Sequence, residues 1–456
     1  MKLLVIAPHF APDVAPTGEV ITSIVGGLVD RGHTVHVVTA LPWYREHRVE
    51  EGWGGRLVRT EATEWGAISR LHPFPTDKTN IPARALAFGG FTALATLRSL
   101  AIRQRPDAVL AMSPPLPLGF PGALVAAVRR IPFVFNIQDV FPDVAVEVGA
   151  ITNPTVIKAA SWAERFLYRR ADAVTVLSED LKRNVAAKLG RTGGSANGGD
   201  NTADRRGGPT LPGSANGGDN TADRRGDPTL PGSANGGDSK VKVIPNFVDT
   251  ERVQPGGGEA YRAEFGLGDR TVVTYAGNVG LSQPVELLVE VARRMADRSD
   301  VVFVVNGGGT SLESVRHAAE GLDNVVFVPM QPRERLSEVL AAGDIHTILL
   351  KHGLARSSVP SKLYSILAAG RPVVASVDAD TEVTRVLADA EAGLATSPGS
   401  VDELHRAITT LIDDPERRRG MGSSGRRWVE RWLSPAAVAE AYEGLFESLQ
   451  GARRGT

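Results

Sequence analysis

The feature that most constrains this chain is a recurrence of short apolar runs, such as "KLLVIA", "VVFVVN" and "VVAS", that do not alternate with polar residues. A strand buried on one face alternates; a strand buried on both does not, and such strands belong to parallel sheets covered by helices. The runs fall at Lys2–Ala7, Thr34–Thr39, Asp107–Ala111, Phe133–Asn136 and Ala173–Leu177. After a break they resume at Val241–Ile244, Val272–Ala276, Val301–Asn306, Val325–Val328, Ile345–Leu349 and Val373–Ser376. Helical stretches separate them. The pattern predicts an α/β chain of two doubly wound, Rossmann-like domains facing each other across a cleft. A length of 456 residues accommodates both.

The break is a tandem repeat. "SANGGDNTADRRGGPTLPG" from Ser195 is followed by "SANGGDNTADRRGDPTLPG" from Ser214 and a partial copy from Ser233. Each copy offers a single leucine to bury, too little for a solenoid, so a disordered loop insertion over 191–239 is expected. It divides a domain at 1–190 from one at 240–433. A last helix over 434–450 is expected to pack back on the first domain.

Composition excludes several functions. The net charge is −1, which gives no case for nucleic-acid binding. Cysteine is absent, which removes disulfides, thiolate nucleophiles and zinc–sulfur sites. No signal peptide is read before the first strand, and a cytoplasmic location is expected. The apolar run Leu86–Leu97 is too short to span a bilayer. It lies among Lys78, Arg84, Arg98, Arg103, Arg105, Arg129 and Arg130 with one acid, Asp107. Such a region either rests on the inner face of the plasma membrane or is a core helix with a solvated cationic side.

Three loops suit an anionic ligand. "PHFAPDVAPTGEV" follows the first strand and leads into a helix near Gly18. "VVFVVNGGGTSLESV" ends a buried strand in Gly307, Gly308 and Gly309, which permits close backbone approach but also suits a plain tight turn. "VPSKLYSILAAGRP" opens a short helix with Pro360, Ser361 and Lys362. A lysine at a helix start is unfavourable by ~0.3–1 kcal/mol, a cost an anion would offset. Lys351 and Arg356 lie just upstream, and three cations so close point to a diphosphate; an exposed charged loop is the alternative.

The same segments resemble the family-4 retaining glycosyltransferases of the GT-B fold, in the branch that builds bacterial polysaccharide and lipopolysaccharide. "RGHTVHVVTA", "QDVFPDVAVEVGAI", "VKVIPNFVDTERVQP", "YAGNVGLSQPVELL", "NGGGTSLESV" and "VPSKLYSILAAGRPVVAS" match that family in order across nearly the whole chain. The resemblance implies a hexosyl or acetamidosugar transferase without metal or other cofactor, taking a nucleotide-diphosphate sugar as donor and a glycan or lipid-linked acceptor. Lys351, Lys362 and the amides near Ser361 would grip the diphosphate, with Gly18 approaching from the other domain. Asp378–Ala379–Asp380, a D-x-D look-alike, is then discounted as a metal site.

The sequence departs from the family where many members carry a glutamate pair, since Ser357 and Ser365 stand there. Glu382 is a substitute for the missing ribose contact. The family's arginine and lysine after the first donor-domain strand align with Asn278 and Gln283, and its histidine before Asp139 aligns with Gln138. Asp139 is expected to face the acceptor or to cap the following turn. His9 is a base or a structural histidine. These departures keep a nucleotide-sugar 2-epimerase and an inactive relative as alternatives.

Overall fold

The computed structural model describes residues 1–13, 15–45, 48–75, 81–143, 146, 151–190, 240–280, 282–353, 360 and 362–454, with backbone alone at 81–85 and 454. The tandem repeat, Arg356, Ser357 and Ser361 lie outside the described residues.

The first sheet holds β1 (Lys2–Ile6), β2 (Thr34–Ala40), β3 (Val58–Thr63), β4 (Gly66–Leu71), β5 (Ala108–Ser113), β6 (Phe133–Ile137), β7 (Ala173–Val176) and β8 (Val241–Val243). Their order is β3-β4-β2-β1-β5-β6-β7-β8, parallel except for the β3–β4 pair. The second holds β9 (Thr271–Asn278), β10 (Val301–Gly308), β11 (Val325–Val328), β12 (Ile345–Leu349), β13 (Val373–Ser376) and β14 (Gly393–Thr396). It runs β11-β10-β9-β12-β13-β14, with every pair parallel.

Unbroken apolar runs are explained by cores on both sheet faces. Leu3 and Val5 enter one cluster with the first helix, whereas Leu4 and Ile6 enter another on the opposite side. Phe303 and Val305 likewise separate from Val302 and Val304.

Two sequence expectations need correction. The run Val241–Ile244 reads from sequence as part of the second domain at 240–433, yet β8 pairs with β7 and is the last strand of the first sheet. The chain crosses between domains only after it. The hairpin β3–β4 was not foreseen, because "VRTEATEWGAISRL" carries charges and lacks an unbroken apolar run.

The helix Pro435–Arg454 packs against the first domain. Val438, Tyr442 and Phe446 enter its core beside the helix Pro16–Asp30. Gly27 permits this approach, since a Cβ there would stand 2.6 Å from the Ala439 Cβ. Tyr442 also accepts from Asn136 Nδ2 at 2.8 Å, Gln138 donates to Asn136 at 2.7 Å, and Asn246 donates to Gln138 at 2.8 Å. Gln138 is thus consumed in a polar chain that ties the crossover segment to β6 and the last helix.

Candidate active site

In a doubly wound sheet, ligands bind beyond the carboxyl ends of the strands, where the winding reverses. The reversal lies between β1 and β5 in the first sheet and between β9 and β12 in the second. His9 follows β1, Asn278 ends β9 and Lys351 follows β12, so chain topology alone delivers these residues to the two switch points.

On the donor side, Lys362 Nζ lies 4.0 Å from the centroid of the Tyr275 ring and donates to the Ala276 carbonyl at 3.4 Å. Among the described residues no carboxylate pairs with it. Burial pushes its amine down to about 8. Tyr275 is held in turn by its hydroxyl, which donates to the Asn278 carbonyl at 2.5 Å. Burial without a counter-ion is costly for an ammonium, and an anionic ligand would relieve that cost.

The three glycines divide into two kinds. A Cβ at Gly307 would collide with the Gly277 carbonyl, and one at Gly309, with φ +147°, would collide with the Val279 carbonyl. Those two are required by the packing of β9 against β10. Gly308 meets nothing within 4 Å, so it alone leaves open space above the strand end.

Lys351 is exposed and its amide donates to Ser282 O at 3.1 Å. The turn it opens is fixed by Asp378, which accepts from the Gly353 amide at 2.7 Å and pairs with His352. The D-x-D look-alike therefore has a structural occupation. Among the described residues no cluster of three or more potential ligands could hold a metal ion.

Glu382 is not brought to Lys362 by any contact. Its carboxylate takes Arg385 at 3.0 Å and its amide donates to Asp180 of the first domain at 3.2 Å. Arg385 also donates to Asp180 at 2.7 Å, and Arg333 pairs with Glu19. Glu382 thus sits in a charged contact between the domains. Ser365 instead lines the interdomain cavity of about 580 Å³, with Tyr364, Asn246, Arg252, Arg333 and Glu19.

Gly18 is buried, and a Cβ there would stand 2.9 Å from the His9 Cβ. Its missing side chain makes room for His9, a packing reason in place of the phosphate approach expected from sequence. His9 and Asp139 line a second cavity of about 550 Å³, walled by Trp43, Tyr44, Phe74, Phe88 and Phe91. The apolar surroundings raise the Asp139 carboxyl above its ordinary range. The aromatic wall was not legible in sequence, because its rings come from three separate segments.

Two doubly wound domains thus meet with a buried ammonium on one side, paired with no carboxylate among the described residues, and an aromatic cavity on the other. Residues 17–193 match the glycosyl transferase 4-like domain, and residues 259–428 match the glycosyl transferases group 1. The two glycosyl transferase models thus fall one on each domain, and the pair of facing sheets is the GT-B fold. WcaI of Escherichia coli K12, named for colanic acid biosynthesis, is 26% identical over 456 residues, 97% of this chain and 98% of that protein. The GDP-mannose-dependent alpha-(1-6)-phosphatidylinositol monomannoside mannosyltransferase of Mycolicibacterium smegmatis is 29% identical over 223 residues, 45% of this chain and 57% of that one. The structure of Anabaena HepE in complex with UDP aligns with a TM-score of 0.61 at 14% identity, covering 98% of this chain and 100% of that one. The protein is therefore a glycosyltransferase.

Proposed function

We propose that the protein moves a sugar, with retention, from a nucleotide-diphosphate sugar to a lipid-linked or glycan acceptor in cell-envelope glycan synthesis. The observation that carries the donor assignment is the unpaired Lys362 ammonium at the carboxyl ends of β9 and β12. Fixed cations aimed at a leaving diphosphate stabilise the charge that develops as the glycosidic bond breaks. Lys362, Lys351, the Gly308 backbone and the neighbouring Asn278 form this donor subsite, and no metal enters it. Arg356 and Ser361 join it on sequence grounds. The acceptor enters the aromatic cavity, with Asp139 on its wall.

The names of relatives support a cell-envelope role: colanic acid for WcaI and a phosphatidylinositol glycolipid for the mannosyltransferase. Contact with the inner face of the plasma membrane fits an apolar surface of the first domain. The helix Ile81–Leu100 exposes Leu86, Gly89, Ala93 and Leu97, while Ala87, Phe88 and Phe91 of the same helix line the aromatic cavity. Part of the cationic side expected from sequence is engaged within the protein: Arg98 donates to Ser69 at 3.0 Å, and Arg129 donates to Leu100 O at 2.9 Å. No helix among the described residues is long and apolar enough to cross a membrane.

The test is incubation with UDP- and GDP-sugars, following nucleotide release and donor protection against thermal unfolding. Wild type should respond to at least one donor, and Lys362→Ala should not. A folded wild-type protein that binds none of them sinks the proposal. Product analysis with donor alone separates transfer from 2-epimerisation, which would yield an epimer.

A further inference from the structure

We propose that Asp13 and His9 form a dyad that presents His9 Nε2 as a fixed hydrogen-bond acceptor for a hydroxyl of the acceptor sugar, with Asp13 as a positioning residue. The inference rests on the transferase reading only for the identity of the cavity's occupant.

The Asp13 side chain is fully buried, which for a carboxylate demands compensation by hydrogen bonds. It has two. Oδ1 accepts from the Tyr44 amide at 3.1 Å, and Oδ2 lies 2.7 Å from His9 Nδ1. A carboxylate only accepts, so in the neutral ring Nδ1 carries the hydrogen and Nε2 carries the lone pair.

The ring cannot turn away from this arrangement. It stacks on Trp43 at 5.8 Å and 24°, and meets the edge of Tyr44 at 5.3 Å and 79°. The loop beneath is clamped as well. Buried Arg70 donates to Ala11 O at 2.6 Å, and the Ala11 amide donates to Thr22 Oγ1 at 3.0 Å. A backbone turn closes it, the Asp13 amide donating to Phe10 O at 3.1 Å.

Nε2 is what all this positioning leaves over. Among the described residues none hydrogen-bonds it, and it is not among the sealed, unsatisfied atoms of the interior. His33 gives the contrast: its Nδ1 meets the Met1 amine at 2.9 Å and its Nε2 meets Glu443 at 2.9 Å. His9 spends one nitrogen on Asp13, and its ring lines the aromatic cavity.

The chemistry selects the ligand. A lone pair backed by a carboxylate repels an anion and welcomes a donor, so a phosphate does not lie here. A hydroxyl does. The surrounding rings of Trp43, Tyr44, Phe74 and Phe88 suit the C–H faces of a sugar. Fixing that hydroxyl orients the acceptor before the donor arrives, which is where positioning acts on rate.

The dyad is tested on the full-length chain labelled with ¹⁵N-histidine, using octyl β-D-glucoside as the acceptor probe and UDP as the donor probe. Wild type should show His9 as the Nδ1–H tautomer, with saturable glucoside binding that shifts the Nε2 resonance. In Asp13→Asn the amide can donate to Nδ1, which moves the hydrogen to Nε2 and turns the acceptor into a donor. Glucoside affinity should fall about tenfold, the loss expected for one hydrogen bond to an oriented partner, with UDP binding unchanged. His9→Phe keeps the stacked ring and removes Nε2, so it should lose the same affinity, with unchanged UDP binding showing that either variant is folded. An Nε2–H tautomer in wild type, no saturable glucoside binding, or wild-type affinity in His9→Phe overturns the dyad. Failure of UDP to bind wild type instead falls on the donor assignment and leaves the tautomer result standing.

Discussion

Lys362 Nζ stands over the face of the Tyr275 ring, 4.0 Å from its centroid, and the ring's own hydroxyl is anchored to Asn278 O at 2.5 Å. The ammonium is thus held by a quadrupole and one carbonyl, with no carboxylate beside it among the described residues.

This arrangement has a pH signature. Burial lowers the Lys362 amine to about 8, whereas an unfolded lysine titrates near ~10.4. Between those values the unfolded chain holds a proton that the fold has released, so stability of the unliganded protein rises with pH through that window. Lys362→Met should remove its share of the rise. A bound diphosphate favours the charged form, so UDP binding near pH 8 to 9 takes up a proton and binding at pH 6 does not. Calorimetry in buffers of contrasting ionisation enthalpy measures the uptake; none at either pH would put the diphosphate elsewhere. Lys362→Ala should weaken UDP by roughly ten- to a hundredfold, the worth of a charge-assisted bond.

Gly307 and Gly308 are adjacent yet should respond in opposite ways. Alanine at Gly307 drives a methyl into the Gly277 carbonyl where β9 and β10 pair, so the fold must give way. Gly307→Ala should lower the melting temperature by several degrees or prevent folding. Gly308→Ala meets open space and should melt within a degree or two of wild type while losing donor affinity. Equal donor affinity in Gly308→Ala would remove that backbone from the donor subsite.

Asp378 should matter without a metal. Its two oxygens hold Gly353 and His352, and so set the turn that begins at Lys351. Asp378→Ala should weaken UDP several-fold by loosening Lys351, and added magnesium should not restore it. EDTA should leave wild-type turnover unchanged. Rescue by magnesium, or loss with EDTA, would give Asp378 a different role.

Much of the architecture was legible because burial on both sheet faces leaves an unbroken apolar run. Lys2–Ile6 and Val301–Gly308 announce themselves in this way, and the glycines at the end of β10 announce a close approach. What stayed hidden has a physical reason in each case. The edge hairpin β3–β4 is half exposed, so its sequence lacks the signal. β8 reads like any strand, and only pairing with β7 shows which sheet owns it. Lys362 was legible as a cation in search of an anion, but its seat on Tyr275 joins positions far apart in the chain. Asp13 gave no sign at all, since a lone aspartate in a loop reads as solvated until Tyr44 and His9 are seen around it.

The outward face of the first domain yields the last prediction. The helices Gly119–Arg129 and Pro154–Arg170 continue the surface begun by Ile81–Leu100. Leu97, Val128 and Trp162 are exposed to 66%, 62% and 60%. Arg130, Lys158 and Arg170, in or next to the same helices, are exposed, and the only acid among the described residues of these helices, Glu164, is buried against Lys188. Apolar side chains ringed by cations suit an anionic bilayer, where each exposed basic residue adds about 1 kcal/mol and the apolar residues enter the interface. Aspartate at Leu97 and Val128 removes no core contact, so the double variant should keep its melting temperature and its UDP affinity. It should no longer sediment with vesicles of phosphatidylglycerol in phosphatidylcholine, which wild type should bind more tightly at low salt than at high. Wild type that ignores such vesicles, or a double variant that binds them equally, would leave this face to another partner. Because Phe88 and Phe91 line the aromatic cavity from the same helix that carries Leu97, a bilayer seated there would deliver a lipid-linked acceptor directly beside His9.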